Sequence, residues 1–152
     1  VLVCVAVVAA AGTAGRVSRQ AQAAAVTGPR IEITSFSDES IRDPGWIAAG
    51  SDGALWFTNG DSIGRITSRG VVSVYRHKSI RWPAAITAGP DGALWFTNAT
   101  SIGRITTRGV VTLYKHKSIR SPQGITVGRD GALWFTNSEG NSIGRARSLP
   151  GG

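Results

Sequence analysis

The chain carries one cysteine in 152 residues, Cys4, and it lies inside an apolar N-terminal run. A protein cut after that run keeps no thiol, which excludes disulfides and cysteine-ligated zinc and leaves packing to supply stability. Histidine is nearly as scarce, with His77 and His116 alone. No H-E-x-x-H pair, G-x-S-x-G elbow, phosphate-binding loop or D-x-D-x-D-G calcium loop occurs. Acidic residues are few: 9 against 17 lysines and arginines, a net charge of +8. Such a surface attracts anions without specifying which. The composition is otherwise that of a single globular domain, 41% hydrophobic, neither a charged disordered tail nor a membrane bundle.

The one long apolar stretch is VLVCVAVVAAAGTAG at 1–15, with AQAAA following at 21–25. It is too short for a typical bilayer span, and the small residues after it stand at signal-cleavage spacing. Residues 1–25 are therefore expected to be an export signal cut near Ala23 or Ala25, and the mature chain to be secreted or otherwise extracytoplasmic. No membrane contact is expected beyond that segment.

What the rest of the sequence has in abundance is repetition. The octet DGALWFTN occurs three times, at 52–59, 91–98 and 130–137, at a constant spacing of 39 residues. SIGRIT recurs at 62–67 and 101–106, and SIGRA at 142–146 after a two-residue insertion; YRHKSIRWP at 75–83 matches YKHKSIRSP at 114–122. A period near 40 residues marks a solenoid or a propeller, and strand content decides between them. In the second unit, 85–88, 93–97, 102–106 and 110–114 are short, β-branched and aromatic runs separated by turn residues. Asp91-Gly92 and Thr107-Arg108-Gly109 supply the turns. Four antiparallel strands per unit is a propeller blade.

In ALWFT, Trp95 faces one way and Leu94 and Phe96 the other, so the strand needs apolar cover on both sides. Blades stacked face to face provide it, and an identical environment accepts an identical sequence. Trp56, Trp95 and Trp134 are expected in the blade interfaces. The strand count is one over 31–36, four in each of the first two units and three in the last. Three complete blades then require the N-terminal strand to close the third.

The GPDGALWFTN octet, the following IGRIT, the short V-T-x-Y strand and the P-x-G-I start of the next unit resemble the virginiamycin B lyase (streptogramin lyase) family. The resemblance runs through nearly all of the chain after the signal. It implies an all-β, seven-bladed propeller of which 26–149 supplies three four-stranded repeats, as a fragment or as one member of a larger ring of copies. It also implies a lyase that linearises type B streptogramin antibiotics by metal-assisted elimination, with magnesium as cofactor and a histidine in a P-H-G-I motif as base. The matching positions here are Gly45, Ala84 and Gln123. None accepts a proton usefully near neutral pH. No catalytic residue and no metal ligand carries over.

Strand alternation sends the Asp-Gly and Arg-Gly turns to one end of the blades and the Asn-bearing loops and blade linkers to the other. The linker end then carries Arg76, His77, Lys78, Arg81, Lys115, His116, Lys117 and Arg120. This basic rim is a candidate site for an anionic glycan or protein, with the histidines adding charge in mildly acidic solution. A solvated face that keeps the protein soluble is the plainer reading. Nucleic acid is not expected, because the aromatics lie on strands rather than among the basic loops. Asn59, Asn98 and Asn137 are expected to bond the backbone of their own loops.

Overall fold

The computed structural model describes residues 31–147; the expected export signal lies outside them. The chain divides into two units, Val1–Thr34 and Ser35–Gly152, and the strands of the described residues fall in the second. Among the described residues, eleven strands form three antiparallel sheets. The first sheet holds β1 (Pro44–Ala49), β2 (Leu55–Asn59), β3 (Ser62–Ile66) and β4 (Val72–Tyr75) in that order. The second repeats it with β5 (Ile86–Ala88), β6 (Leu94–Asn98), β7 (Ser101–Ile105) and β8 (Val111–Tyr114). The third has three strands, β9 (Pro122–Val127), β10 (Leu133–Asn137) and β11 (Ser142–Ala146). These are the three propeller-type blades that the repeat predicts.

The strand expected over 31–36 does not form: residues 31–38 pair with no ladder and are exposed. A strand exists only through its partner, and no edge pairs with this segment. Among the described residues the third sheet accordingly has three strands.

Repeated turns explain the repeated glycines. Gly50 N–H bonds the Ala54 carbonyl at 2.8 Å and Gly53 N–H the Gly50 carbonyl at 3.2 Å, with Gly53 at φ 74°. Thr67, Gly70 and Val71 make the same pattern at the next hairpin, with Gly70 at φ 82°. Each is a tight turn that ends in a left-handed residue, where glycine is favoured. Glycine inside the middle strand has a different cause. Gly64, Gly103 and Gly144 stand opposite Phe57, Phe96 and Phe135 in register, and each phenyl ring occupies the space a Cβ would need.

The blades stack through their flat faces. Trp56 and Ile63 of the first blade meet Ile86 and Leu94 of the second, and all four are essentially inaccessible. Trp95 and Ile102 of the second meet Ile125 and Leu133 of the third. Each large side chain so buried contributes about 1.5–3 kcal/mol from area alone. Val111 and Leu113 of β8, with Tyr75, close the outer part of the first interface. The leading strands β1, β5 and β9 stand side by side, β5 between the other two, at the inner edge of the stack. Trp56 is 0% and Trp95 9% exposed, in keeping with the expected core role, but Trp134 is 36% exposed. It departs from that role because no blade follows it on that side among the described residues.

Candidate functional site at the linker end of the blades

The end that carries the linkers is built by one asparagine per blade. Asn98 Oδ1 accepts from Arg81 N–H at 2.7 Å, and its Nδ2 donates to the Ser79 carbonyl at 3.1 Å and to Ser101 Oγ at 2.9 Å. Asn59 makes the same bonds to Arg42, Ser40 and Ser62, and Asn137 to Arg120, Ser118 and Ser142. The asparagines are thus not satisfied by the backbone of their own loops, as expected, but clip the linker that precedes their blade by 17–19 residues. An amide side chain with a donor and an acceptor side by side suits a strand-like backbone edge. The S-I-R triplet in each linker is the sequence signal of this clip.

Just after the clip the chain turns sharply into the blade. Asp43, Trp82 and Ser121, each preceding a proline, adopt left-handed φ values of 43°, 44° and 46°. Non-glycine residues hold this conformation at some cost, and the neighbours enforce it. Trp82 N–H, for example, bonds Asp61 Oδ1 at 2.8 Å. Gly45, Ala84 and Gln123 follow the prolines, and the amides just after them, of Trp46, Ala85 and Gly124, donate to the octet threonines. Thr97 Oγ1 accepts from Ala85 N–H at 2.9 Å and donates to the Gln123 carbonyl of the next blade at 2.7 Å. Backbone, not side chains, is what these blade starts present.

All eight rim residues are exposed. Arg76, His77, Lys78 and Arg81 gather with Arg42 around a groove of about 460 Å³ beside Asn59 and Asp61. His77, Arg81 and Lys115 border a second groove beside Asn98. His116, Lys117 and Arg120 line neither of these. Each histidine Nδ1 accepts from the amide two residues on, His77 from Ser79 at 3.3 Å and His116 from Ser118 at 3.2 Å. Among the described residues no rim side chain pairs with a carboxylate. Acidic residues do share this end, however: Asp38, Glu39 and Asp43 lead into the first blade, Asp61 lies in its β2–β3 loop and Glu139 in the third blade's equivalent. The basic density is therefore greatest around the linker between the first two blades.

At the opposite end each blade holds an aspartate, a tryptophan and an arginine. Asp52 Oδ1 accepts from Trp56 Nε1 at 3.0 Å, and its Oδ2 from Arg65 Nε at 2.7 Å. Asp91, Trp95 and Arg104 repeat the set, as do Asp130, Trp134 and Arg145. The guanidinium lies over the indole, with its Cζ 5.9 Å from the ring centroid in the first blade, 6.0 Å in the second and 5.4 Å in the third. Burial opposes charge on Asp52 and Asp91, but the indole N–H, the arginine and a backbone amide outweigh it and hold both carboxyls below the usual range. Trp134, Arg145 and the Ala132 amide hold Asp130 at about 2. These carboxylates are committed to the fold. Among the described residues, no three side chains of His, Cys, Asp or Glu converge.

Comparison with known proteins bears on this geometry. The profile of the virginiamycin B lyase family matches residues 9–149. The chain belongs to the virginiamycin B lyase family. Two solved structures share its fold and close to half of its aligned residues: a virginiamycin B lyase from Staphylococcus aureus at 44% identity with a TM-score of 0.63, and a streptogramin B lyase at 45% with 0.62. They cover 67% of this chain but only 37% and 36% of their own lengths. A catalytically inactive histidine-to-alanine virginiamycin B lyase from the same organism, solved with quinupristin, is 38% identical over 68% of this chain and 40% of that one, with a TM-score of 0.57. The chain thus spans little more than a third of the length of these lyases. No curated protein sequence matches it.

Proposed function

We propose that this protein is a streptogramin-lyase-like propeller whose three described blades form scaffold and channel wall and do not by themselves open the antibiotic ring. The observation that carries this reading is the content of the blade starts. Where the family resemblance implies a base, the chain places Gly45, Ala84 and Gln123; the amides just after them, of Trp46, Ala85 and Gly124, donate to Thr58, Thr97 and Thr136, and the Gln123 carbonyl accepts from Thr97. An elimination needs a group that removes a proton next to the departing ester oxygen. His77 and His116 stand in linkers apart from those positions, on separate grooves. Incubation with a type B streptogramin and magnesium, followed by fragmentation mass spectrometry, tests the proposal. Intact cyclic antibiotic is the expected result; a linear product would overturn it.

The rim supports a second reading, a scaffold that presents a basic surface to an anionic glycan or protein. Its support is the exposure of Arg76, Lys78, Arg81 and Lys115 without carboxylate partners. Replacement of Arg76, Lys78, Lys115 and Lys117 by serine is expected to bring elution from a sulfated resin to markedly lower salt. Unchanged elution rejects a concentrated basic surface.

A further inference from the structure

One blade start departs from the repeat in a way that its turn does not require. Trp82 is 78% exposed and holds a left-handed φ of 44°. The residues 39 positions before and after it, Asp43 and Ser121, hold the same conformation with small polar side chains. A bulky side chain is an outlier in that region, and the other two blades make the turn without one. Trp82 departs together with Asp61, whose Oδ1 accepts its N–H at 2.8 Å and whose counterpart in the second blade is Thr100. The linker that carries Trp82 joins the first blade to the second, and both are in place, so the indole is not bared by an end of the chain.

Asp61, which holds the Trp82 amide, and Arg81, its neighbour in the chain, both line the groove of about 460 Å³ at the first blade. Arg42, Arg76 and Lys78 line it as well. Arg42 is steadied by its Nε, which donates to the Glu39 carbonyl at 3.2 Å. The groove belongs to the blade and not to the ends of the chain, because its counterpart beside Asn98 is open where a blade stands on either side. Three guanidinium groups and one ammonium, none paired with a carboxylate among the described residues, set out a place for negative charge. Asp61 adds an acceptor to the same groove, which suits hydroxyl groups and opposes a dense run of phosphates.

A ligand that combines negative charge, hydroxyls and a flat apolar face uses all of these groups at once. A sugar ring has such a face, since its axial C–H bonds meet the electron-rich face of an indole. We infer that the groove and Trp82 together bind an acidic polysaccharide, the arginines and Lys78 taking its carboxylate or sulfate groups and the indole stacking on an adjoining sugar ring. The inference rests on the basic-rim reading above and names its ligand. Single-stranded nucleic acid fits less well, because it stacks base after base on several aromatics. The linkers offer one free ring, since Tyr75 and Tyr114 are already stacked on Trp56 and Trp95, with centroids 5.1 and 5.2 Å apart.

Calorimetric titration of the full chain with heparin and with polygalacturonate tests this. Saturable binding of either is the expected result, with a blue shift of tryptophan emission as Trp82 leaves water; heparin alone assigns the charge to sulfate, and polygalacturonate alone to carboxylate. Trp82→Ser installs the residue that the third blade carries at this place, so it is expected to keep the native urea midpoint. It is expected to weaken binding about tenfold, while Trp82→Phe keeps most of the affinity. Elution from a sulfonated ion-exchange resin, which has charge but no sugar, should be the same for the native chain and Trp82→Ser. Native affinity in Trp82→Ser overturns the inference and leaves the rim reading standing, provided that the rim-to-serine variant elutes early; if that variant elutes unchanged, both fall. Failure of both acidic polysaccharides to bind, equal affinity for uncharged dextran, or tighter binding of a single-stranded oligonucleotide that depends on Trp82 would also overturn it.

Discussion

A single indole N–H shows why three identical octets recur with an aspartate at their head. Trp56 is sealed from solvent, and Asp52 is the acceptor that satisfies its nitrogen. Asp52→Ala is expected to lower the free energy of unfolding by about 1–3 kcal/mol, the cost of an orphaned buried donor, as read from the urea midpoint. The same carboxylates set the acid limit of the fold. Because Asp52, Asp91 and Asp130 are held below the ordinary aspartate value when folded, the stability they lend is complete above the unfolded value of about 3.9. It is lost as pH falls through the folded values. Stability should therefore be level near neutrality and fall below about pH 4, and the triple aspartate-to-asparagine variant should show a shallower fall. The octet itself announced buried strands, since its alternation puts apolar groups on both faces. The Asp–Trp–Arg set was not legible, because the arginine comes from the next strand and only the register brings it opposite the tryptophan.

At the scale of the element, the linkers are structured although they contain no strand. Asn98 is 4% exposed and holds Arg81 N–H and the Ser79 carbonyl at once. Asn98→Leu removes both partners of a backbone edge, and about 1–3 kcal/mol for each group left unsatisfied is the expected loss. Amide hydrogen exchange separates this from a general loss of packing: protection should fall first at Arg81 and its neighbours, while β6 and β7 keep theirs until global unfolding. Asn98→Asp retains the acceptor but not the donor and is expected to fall between Leu and the native residue. Strand positions were readable because β-branched and aromatic runs between glycine turns leave little choice. The clip was not, since its partners lie 17–19 residues upstream. The failure at 31–36 has a different physical origin. That segment carries the right residue pattern for an outer strand, but pattern supplies only the side chains, and a ladder needs a second edge. The rim was legible as a set of charges and not as a site, because the acidic residues that share its end come from other loops.

Across the whole molecule, three copies of one sequence occupy three environments, which turns the chain into its own control. Ile63, Ile102 and Ile143 hold the same place in successive blades, yet they are 0%, 1% and 64% exposed. The chemistry of the side chain is constant, so any difference in the cost of shortening it reports the neighbours alone. Ile102→Ala opens a cavity in a closed interface and is expected to cost about 2–5 kcal/mol. Ile143→Ala in the isolated chain removes a group already in water and is expected to cost under about 0.5 kcal/mol. Urea midpoints of the two variants, read against the native chain, check the difference. A small penalty at position 143 beside a large one at 102 means that the third blade is stabilised from its inner side alone, whereas equal penalties mean that Ile143 is covered in solution.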